Sequence, residues 1–279
     1  MRKVLLFFLM SLAVPAAFSQ SHEIGALVGT SFYLGDLNQK TLFDSPKLAG
    51  GLVYRYNISP RWAVKANLLF AEVEASDQSS NSNYERNLSF RSPITEISAQ
   101  VEMNFFNLYN SSGKNRFSPY IFLGLSVFSF NPQANYDGKW YDLNHFGTEG
   151  QGLPGAKKDY YSLVSVAIPF GIGLKVNIGK YISCGIEWGM RYTFTDYLDD
   201  VSGEYYDNQE LAITRGNIIA ALADRSKDIH KAGTQRGNSK TLDWYSFAGG
   251  FITFKIGNDK QLCTVRNHYN LRKSIGKKH

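Results

Sequence analysis

The chain's 279 residues predict an all-β fold, an eight-stranded antiparallel transmembrane β-barrel of the outer-membrane kind with short periplasmic turns and long external loops. Three observations carry this expectation. From Tyr181 to Phe194, Ile182, Cys184, Ile186, Trp188, Met190, Tyr192 and Phe194 fall on one face, while Ser183, Gly185, Glu187, Gly189, Arg191 and Thr193 fall on the other. A period of two is that of a strand, and here it makes one side continuously apolar and the other polar, small or charged. A barrel strand crossing a membrane needs about 9–11 residues of this kind. The connections between strand-like runs alternate short and long, as in outer-membrane barrels. Finally, Arg2 and Lys3 precede an apolar run from Val4 to Val14, and Ala17-Phe18-Ser19 supplies small residues for cleavage. That is the pattern of a secretory leader, with cleavage expected after Ser19. Nothing downstream approaches the roughly 18 uninterrupted apolar residues of a spanning helix.

The strands follow in order. The first covers Glu23 to Phe32, with Gly25 and Gly29 opposite Ile24, Ala26 and Val28. The second, Leu48 to Tyr56, sets Gly50, Leu52, Tyr54 and Tyr56 outside and Gly51, Val53 and Arg55 inside. After a tight Asn57-to-Arg61 connection, the third runs Trp62 to Val73, with Trp62, Val64, Ala66, Leu68 and Phe70 opposing Lys65 and Asn67. The fourth, Ile94 to Phe105, has an inner face of Glu96, Ser98, Gln100, Glu102 and Asn104. The fifth, Tyr120 to Phe130, is apolar on both faces, so periodicity does not set its register. The sixth, Leu163 to Asn177, turns Val166, Ile168, Phe170, Ile172 and Leu174 outward against Gly171, Gly173 and Lys175. The seventh is Tyr181 to Phe194, and the eighth is Trp244 to Ile256.

Connections near Asn57–Arg61, Asn107–Arg116 and Ile178–Lys180 are short, whereas Gly35–Pro46, Ala75–Ser89, Asn131–Tyr160 and Thr195–Leu242 are long. This parity puts both ends of the mature chain in the periplasm. Two aromatic belts are expected: Tyr54, Tyr56, Trp62, Phe105 and Tyr181 by the short turns, and Phe32, Phe70, Phe130, Tyr161, Tyr192, Phe194, Trp244 and Tyr245 by the long loops. Aromatic content of 14%, 25 glycines and a mean hydropathy of −0.26 suit a barrel whose strands are half inward-facing. Cys184 lies among isoleucines and reads as a small hydrophobe, not as a bridge partner for Cys263.

Eight strands leave an interior only wide enough to be filled by side chains. Its expected lining sets Arg55, Lys65, Lys175 and Arg191 against Glu96, Glu102 and Glu187, which reads as an ion-paired plug with inward glycines making room for long neighbours such as Arg191. A conducting pore would show one sign of charge or a smaller polar lining. No catalytic, cofactor or metal site is expected. Asp142, His145 and Ser162 are the nearest to a Ser–His–acid set, but no nucleophile-elbow spacing accompanies them. Asp196, Asp199 and Asp200 lack EF-hand spacing and read as a solvated acidic loop. Residues Asn217 to Ser226 are expected to form a short helix.

The formal charge of +6 is localised: Lys260, Arg266, Arg272, Lys273, Lys277 and Lys278 follow Asp259, and no acid comes after it. The chain thus divides into a leader (1–19), a barrel (20–257) and a basic periplasmic tail (258–279), the tail suiting an acidic partner surface or lipid headgroups. Nothing besides the tail suggests nucleic-acid binding.

Several segments resemble the PorG-like proteins of Bacteroidetes: Gly29-Thr-Ser-Phe-Tyr-Leu-Gly-Asp-Leu-Asn38, Pro119-Tyr-Ile-Phe-Leu-Gly124, Gly147-Thr-Glu-Gly-Gln-Gly152, Ile168-Pro-Phe-Gly-Ile-Gly173 and, most specifically, Glu187-Trp-Gly-Met-Arg-Tyr-Thr-Phe-Thr-Asp-Tyr-Leu-Asp-Asp-Val-Ser-Gly203. The resemblance implies an outer-membrane component of the type IX secretion system, without enzymatic activity or cofactor, contacting the periplasmic ring of a PorK-like lipoprotein and a PorN-like protein. The basic tail is then a candidate contact for that ring. More than twenty residues follow Phe254-Lys-Ile256, so the aromatic assembly signal that ends many outer-membrane barrels would be internal here. Two other readings compete: a generic surface barrel whose loops bind a ligand, glycan or host molecule, and a soluble lipocalin-like barrel. The second requires a solvated outer face, which Ile182 to Phe194 opposes.

Overall fold

The computed structural model describes residues 21–39, 41–80, 83–108, 116–179 and 181–256. The expected leader and the basic tail, with Lys260, Arg266, Arg272, Lys273, Lys277 and Lys278, lie outside the described residues.

Eight long strands form the staves: β1 (Ser21–Leu34), β2 (Lys47–Asn57), β3 (Trp62–Ser76), β4 (Ser89–Asn104), β5 (Phe117–Phe130), β8 (Val164–Ile178), β9 (Ile182–Thr193) and β10 (Trp244–Ile256). Each pairs antiparallel with its neighbours, and β1 pairs with β10 from His22↔Ile256 to Leu34↔Trp244, so no barrel edge is left open. The strongest ladder joins β3 to β4 from Trp62↔Met103 to Ser76↔Ser89. A short hairpin, β6 (Gln133–Tyr136) and β7 (Lys139–Asp142), extends from β4 through Arg91↔Gln133. Among the described residues four short helices sit in the long connections: α1 (Asp77–Ser80), α2 (Leu143–Phe146), α3 (Asn208–Arg215) and α4 (Asn217–Ala223). The sequence pattern anticipates α4 but not α3 or the hairpin.

The facings read from periodicity hold for all the strands with a clear pattern. Val28, Leu48, Leu52, Ile97, Val101, Leu123, Leu125, Ile172, Ile186 and Phe254 are exposed on the outside. A continuous apolar surface around every stave is costly in water and suits hydrocarbon. Among the described residues no helix is long and apolar enough to cross a membrane. Cys184 is a free thiol on that outer face, half-buried between neighbours.

Pairing decides what periodicity leaves open. Inward Glu102 lies opposite Phe122 and inward Glu96 opposite Phe128, so β5 turns Tyr120, Phe122, Phe128 and Phe130 into the barrel. Likewise Arg191 pairs with Tyr245, which is fully buried. This corrects the long-loop aromatic belt. Phe130 and Tyr245 belong to the interior, Tyr161 stacks within the loops, and Phe32 is covered edge-on by Phe43 at 5.1 Å. Strand β4 also begins at Ser89, earlier than expected, because the β3 ladder carries it past Pro93.

The facing of β9 has a direct test. Ile186 is exposed on the outside, whereas Ser183 is buried and donates to Asn177 Oδ1 at 2.8 Å. Ile186→Arg is expected to cost about 2–4 kcal/mol near midplane, while Ser183→Thr keeps a hydroxyl at its place and leaves stability nearly unchanged. Urea unfolding of the barrel in lipid vesicles reads both, and equal losses would reverse the facing.

Candidate functional site: the charged lumen and its cap

The lumen is built from side chains that alternation aims inward and that are buried. All seven charged residues anticipated for it lie there, and one was missed: Glu23, on the same face of β1 as Gly25 and Gly29. Arg55 is the hub of the short-turn half. Its Nη1 donates to Glu23 Oε2 at 2.8 Å and its Nε to Glu102 Oε2 at 2.9 Å, while Lys175 Nζ donates to the other oxygen of Glu102. Thr253 and Asn57 donate to Glu23 as well, at 2.8 and 2.9 Å. In the middle, Lys65 Nζ and Tyr120 Oη both donate to Glu187 Oε2, at 2.7 and 2.8 Å. Toward the long-loop end, Arg191 Nε and Tyr245 Oη converge on Glu96 Oε2 at 3.0 and 2.6 Å. Four cations thus meet four carboxylates, with Glu23 completing the balance.

Aromatic rings fill the space between the charges. Lys65 Nζ lies 4.3 Å from the Phe122 ring centre, and the Arg55 guanidinium lies 4.9 Å from that of Phe251. These rings explain two of the inward glycines, Gly173 and Gly189. A Cβ on Gly173 would come within 2.3 Å of the Tyr120 ring, and one on Gly189 within 2.6 Å of Phe122. Arg191 lies 3.2 Å from the Gly189 position, so rings, more than the arginine, take the room that glycine leaves. Arg55 and Lys65 have 0% exposure, which a water-filled channel around them would not allow. The arrangement is a polar, ion-paired plug.

Over the long-loop end the connections pack into a cap. Leu37, Leu88, Leu198 and Val201 join one apolar cluster with Tyr33, Phe90 and Phe130 at the barrel mouth, so cap and barrel share a core. Tyr161 stacks on Tyr197 at 4.3 Å. Glu149, from the Gly147-to-Gly152 segment, ties the last long connection down. Its Oε1 accepts from the backbone N–H of Ser202 and Gly203, each at 3.0 Å, and from Arg236 at 3.1 Å. Arg236 also donates to the Asp200 and Ala223 carbonyls. Arg86 grips Asp77 through two nitrogens and donates to the carbonyls of Asp36 and Arg236.

The expected solvated acidic loop is therefore corrected: Asp196, Asp199 and Asp200 are buried. Tyr33 Oη lies 2.6 Å from Asp199 Oδ2 and 2.7 Å from Asp243 Oδ1. A hydroxyl has one proton to donate, so one of the two carboxyls must supply the other hydrogen. Burial, reinforced by the charge of Asp36 on Asp199 and of Asp199 on Asp243, pushes both well above the usual carboxylate range. Burial likewise raises Asp196 to about 7, and lifts Asp200 to about 6 despite Arg236 beside it. Local periodicity carries no signal for this, because the packing partners are distant in sequence.

The weak triad candidates are not brought together by hydrogen bonds. Asp142 accepts from Asn131 and Gln133 at 2.8 and 2.7 Å, Ser162 donates to the Val164 carbonyl at 2.9 Å, and the His145 ring lies edge-on to Phe146 at 5.5 Å.

A closed eight-stranded barrel with an apolar exterior and a filled polar lumen defines a small β-barrel of the outer-membrane type. This chain belongs to the family described as Domain of unknown function (DUF6089), whose sequence profile matches residues 2–221. No curated protein matches it in sequence. Among solved structures it is similar to the outer membrane protein OprG of Pseudomonas aeruginosa, with 9% identity over 86% of this chain and 98% of that one and a TM-score of 0.45. It is also similar to Neisserial surface protein A, with 9% identity over 84% and 97% and a TM-score of 0.40. The N-terminal β-barrel domain of Pseudomonas aeruginosa OprF matches at 9% identity over 86% and 98%, with a TM-score of 0.37.

Two predictions follow from the charges. Glu102→Ala leaves Arg55 and Lys175 short of their shared carboxylate and is expected to cost about 3–5 kcal/mol. Glu204→Ala, which removes only the solvent-facing partner of Lys157, should cost under about 1 kcal/mol; urea unfolding in vesicles separates the two. The cap acids act through pH. Their folded-state values are raised, so their contribution is full below the unfolded carboxylate value and is lost as pH rises through about 6 and about 7 for Asp200 and Asp196. Amides of residues 195–242 should therefore exchange faster at alkaline than at mildly acidic pH, once intrinsic rates are corrected. A cap equally protected at both would contradict this.

Proposed function

We propose that this chain is a structural, non-enzymatic component of the outer membrane in the type IX protein secretion system. In this reading the short-turn end and the basic tail face the periplasm, the packed cap faces outward, and the tail contacts the acidic or lipid-bearing surface of a periplasmic ring made by a PorK-like lipoprotein and a PorN-like protein. One observation carries the non-conducting part: Arg55, Lys65, Lys175 and Arg191 are buried and matched inside the lumen. A barrel whose interior is spent on self-pairing suits an anchor better than a conduit. The secretory role is supported by the resemblance of segments spread from β1 to the connection after β9, and the ring contact by the concentration of positive charge beyond Asp259. A second reading, a surface barrel that binds a ligand through its cap, is favoured by the clefts between the cap connections.

The secreted proteome of a strain lacking the gene, with a complemented control, tests the first reading. Cargo bearing the type IX export signal should accumulate in the periplasm. Complementation by a chain ending before Asn258 should restore the barrel to the membrane without restoring export. Normal export in the null strain would refute the secretory role, and full export by the truncated chain would refute the tail contact.

A further inference from the structure

The cap has a concave feature that the anchoring role does not use. The β1–β2 and β3–β4 connections and the segment following α4 enclose a cleft of about 520 Å³. Its floor is rigid and electrically matched. Arg86 and Arg236 are buried there, and each gives its donors to carboxylates and backbone carbonyls of the protein. Neither guanidinium has charge to spare for an anionic guest.

The rim is different. The side chains of Gln39, Asn83, Glu85 and Gln235 are exposed, line the cleft, and have no hydrogen-bond partner among the described residues. They supply amide donors, amide acceptors and one carboxylate acceptor around a single hollow. That mixture is complementary to neighbouring hydroxyl groups, each of which both donates and accepts. Beside them Tyr84 is 65% exposed, so its ring is available to an apolar C–H face. Glu85 at the rim and Asp36 below it disfavour a negatively charged guest. A second cleft of about 740 Å³ adjoins the first, with Tyr205, Gln235, Gly237 and Asn238 lining both.

We infer that the cleft is a binding site for a short neutral oligosaccharide, with the four rim side chains reading its hydroxyls and Tyr84 covering a sugar face. Convergent polar groups fix the orientation of a small ligand in a concave site, and a lining this polar suits a guest rich in hydroxyls. Extension into the second cleft points to more than one ring unit. The inference goes beyond the secretory role and does not rest on it.

Saturation-transfer NMR tests it, on the full mature barrel in a non-glycosidic detergent. The probes are maltotriose, cellotriose and chitotriose, with trigalacturonate as the anionic counterpart of similar length. Transfer to ring C–H protons of at least one neutral trisaccharide is expected, weaker by about tenfold in apparent affinity for the Asn83→Ala/Gln235→Ala double variant and for Tyr84→Ala. None of these side chains has a hydrogen-bond partner among the described residues, so the variants should fold, and heat-dependent gel mobility checks that they do. Absence of transfer to all three neutral probes at millimolar concentration would overturn the inference. So would transfer undiminished in folded variants, or stronger transfer to trigalacturonate. None of these results bears on export, which the secreted proteome reads separately.

Discussion

The matching of buried charge inside the barrel is the constraint on which the rest of the structure depends. Arg55 and Lys65 are fully buried between the eight staves, so each charge placed there needs an opposite charge in the protein. Glu102 meets this by serving Arg55 from β2 and Lys175 from β8 with separate oxygens, which links three staves across the lumen. Glu187 and Glu96 also link three staves in their own layers, each taking a cation and a tyrosine hydroxyl on a single oxygen. A slip of one residue in any of these strands would send a charge into the hydrocarbon and an apolar or aromatic side chain into the lumen. The ion pairs therefore act as much on register as on stability.

The glycines follow from the same constraint. A lumen holding eight ionic side chains together with Tyr120, Phe122 and Phe251 is crowded, and the facing strands yield volume at Gly173, Gly185 and Gly189. Ring faces then lie against the lysine and arginine heads, offsetting part of the cost of removing those charges from water. At Gly173 and Gly189, what looks in the sequence like weak strand propensity is the counterpart of large neighbours across the barrel.

The cap extends this logic beyond the staves. Arg236 and Glu149 pin connections that are far apart in the chain, and the Tyr33–Asp199–Asp243 contact ties the last connection to the first strand through two hydrogen bonds. Such a cap holds its shape over the plug, which allows a cleft in it to be preformed. Floor and rim divide the labour: Arg86 and Arg236 hold the fold, and the rim amides, without partners among the described residues, are left to meet a guest.

Alternation along the chain by itself determined the barrel class, the inward or outward facing of most staves, and seven of the charges in the lumen, because a strand's period of two is a local property that needs no partner to be read. Glu23 was legible on the same grounds, from its parity with Gly25. The facing of β5 was not, since Tyr120 to Phe130 is apolar on both sides and only its ladder with β4 decides which rings turn in. Nor was the burial of Asp196, Asp199 and Asp200, whose run of acids looks solvent-bound until Leu198 and Val201 carry it into the core. Those outcomes belong to the tertiary structure. Tyr33 meets Asp243 across 210 positions of sequence and Arg236 meets Glu149 across 87, and contacts at such separations leave no trace in the spacing of neighbouring residues.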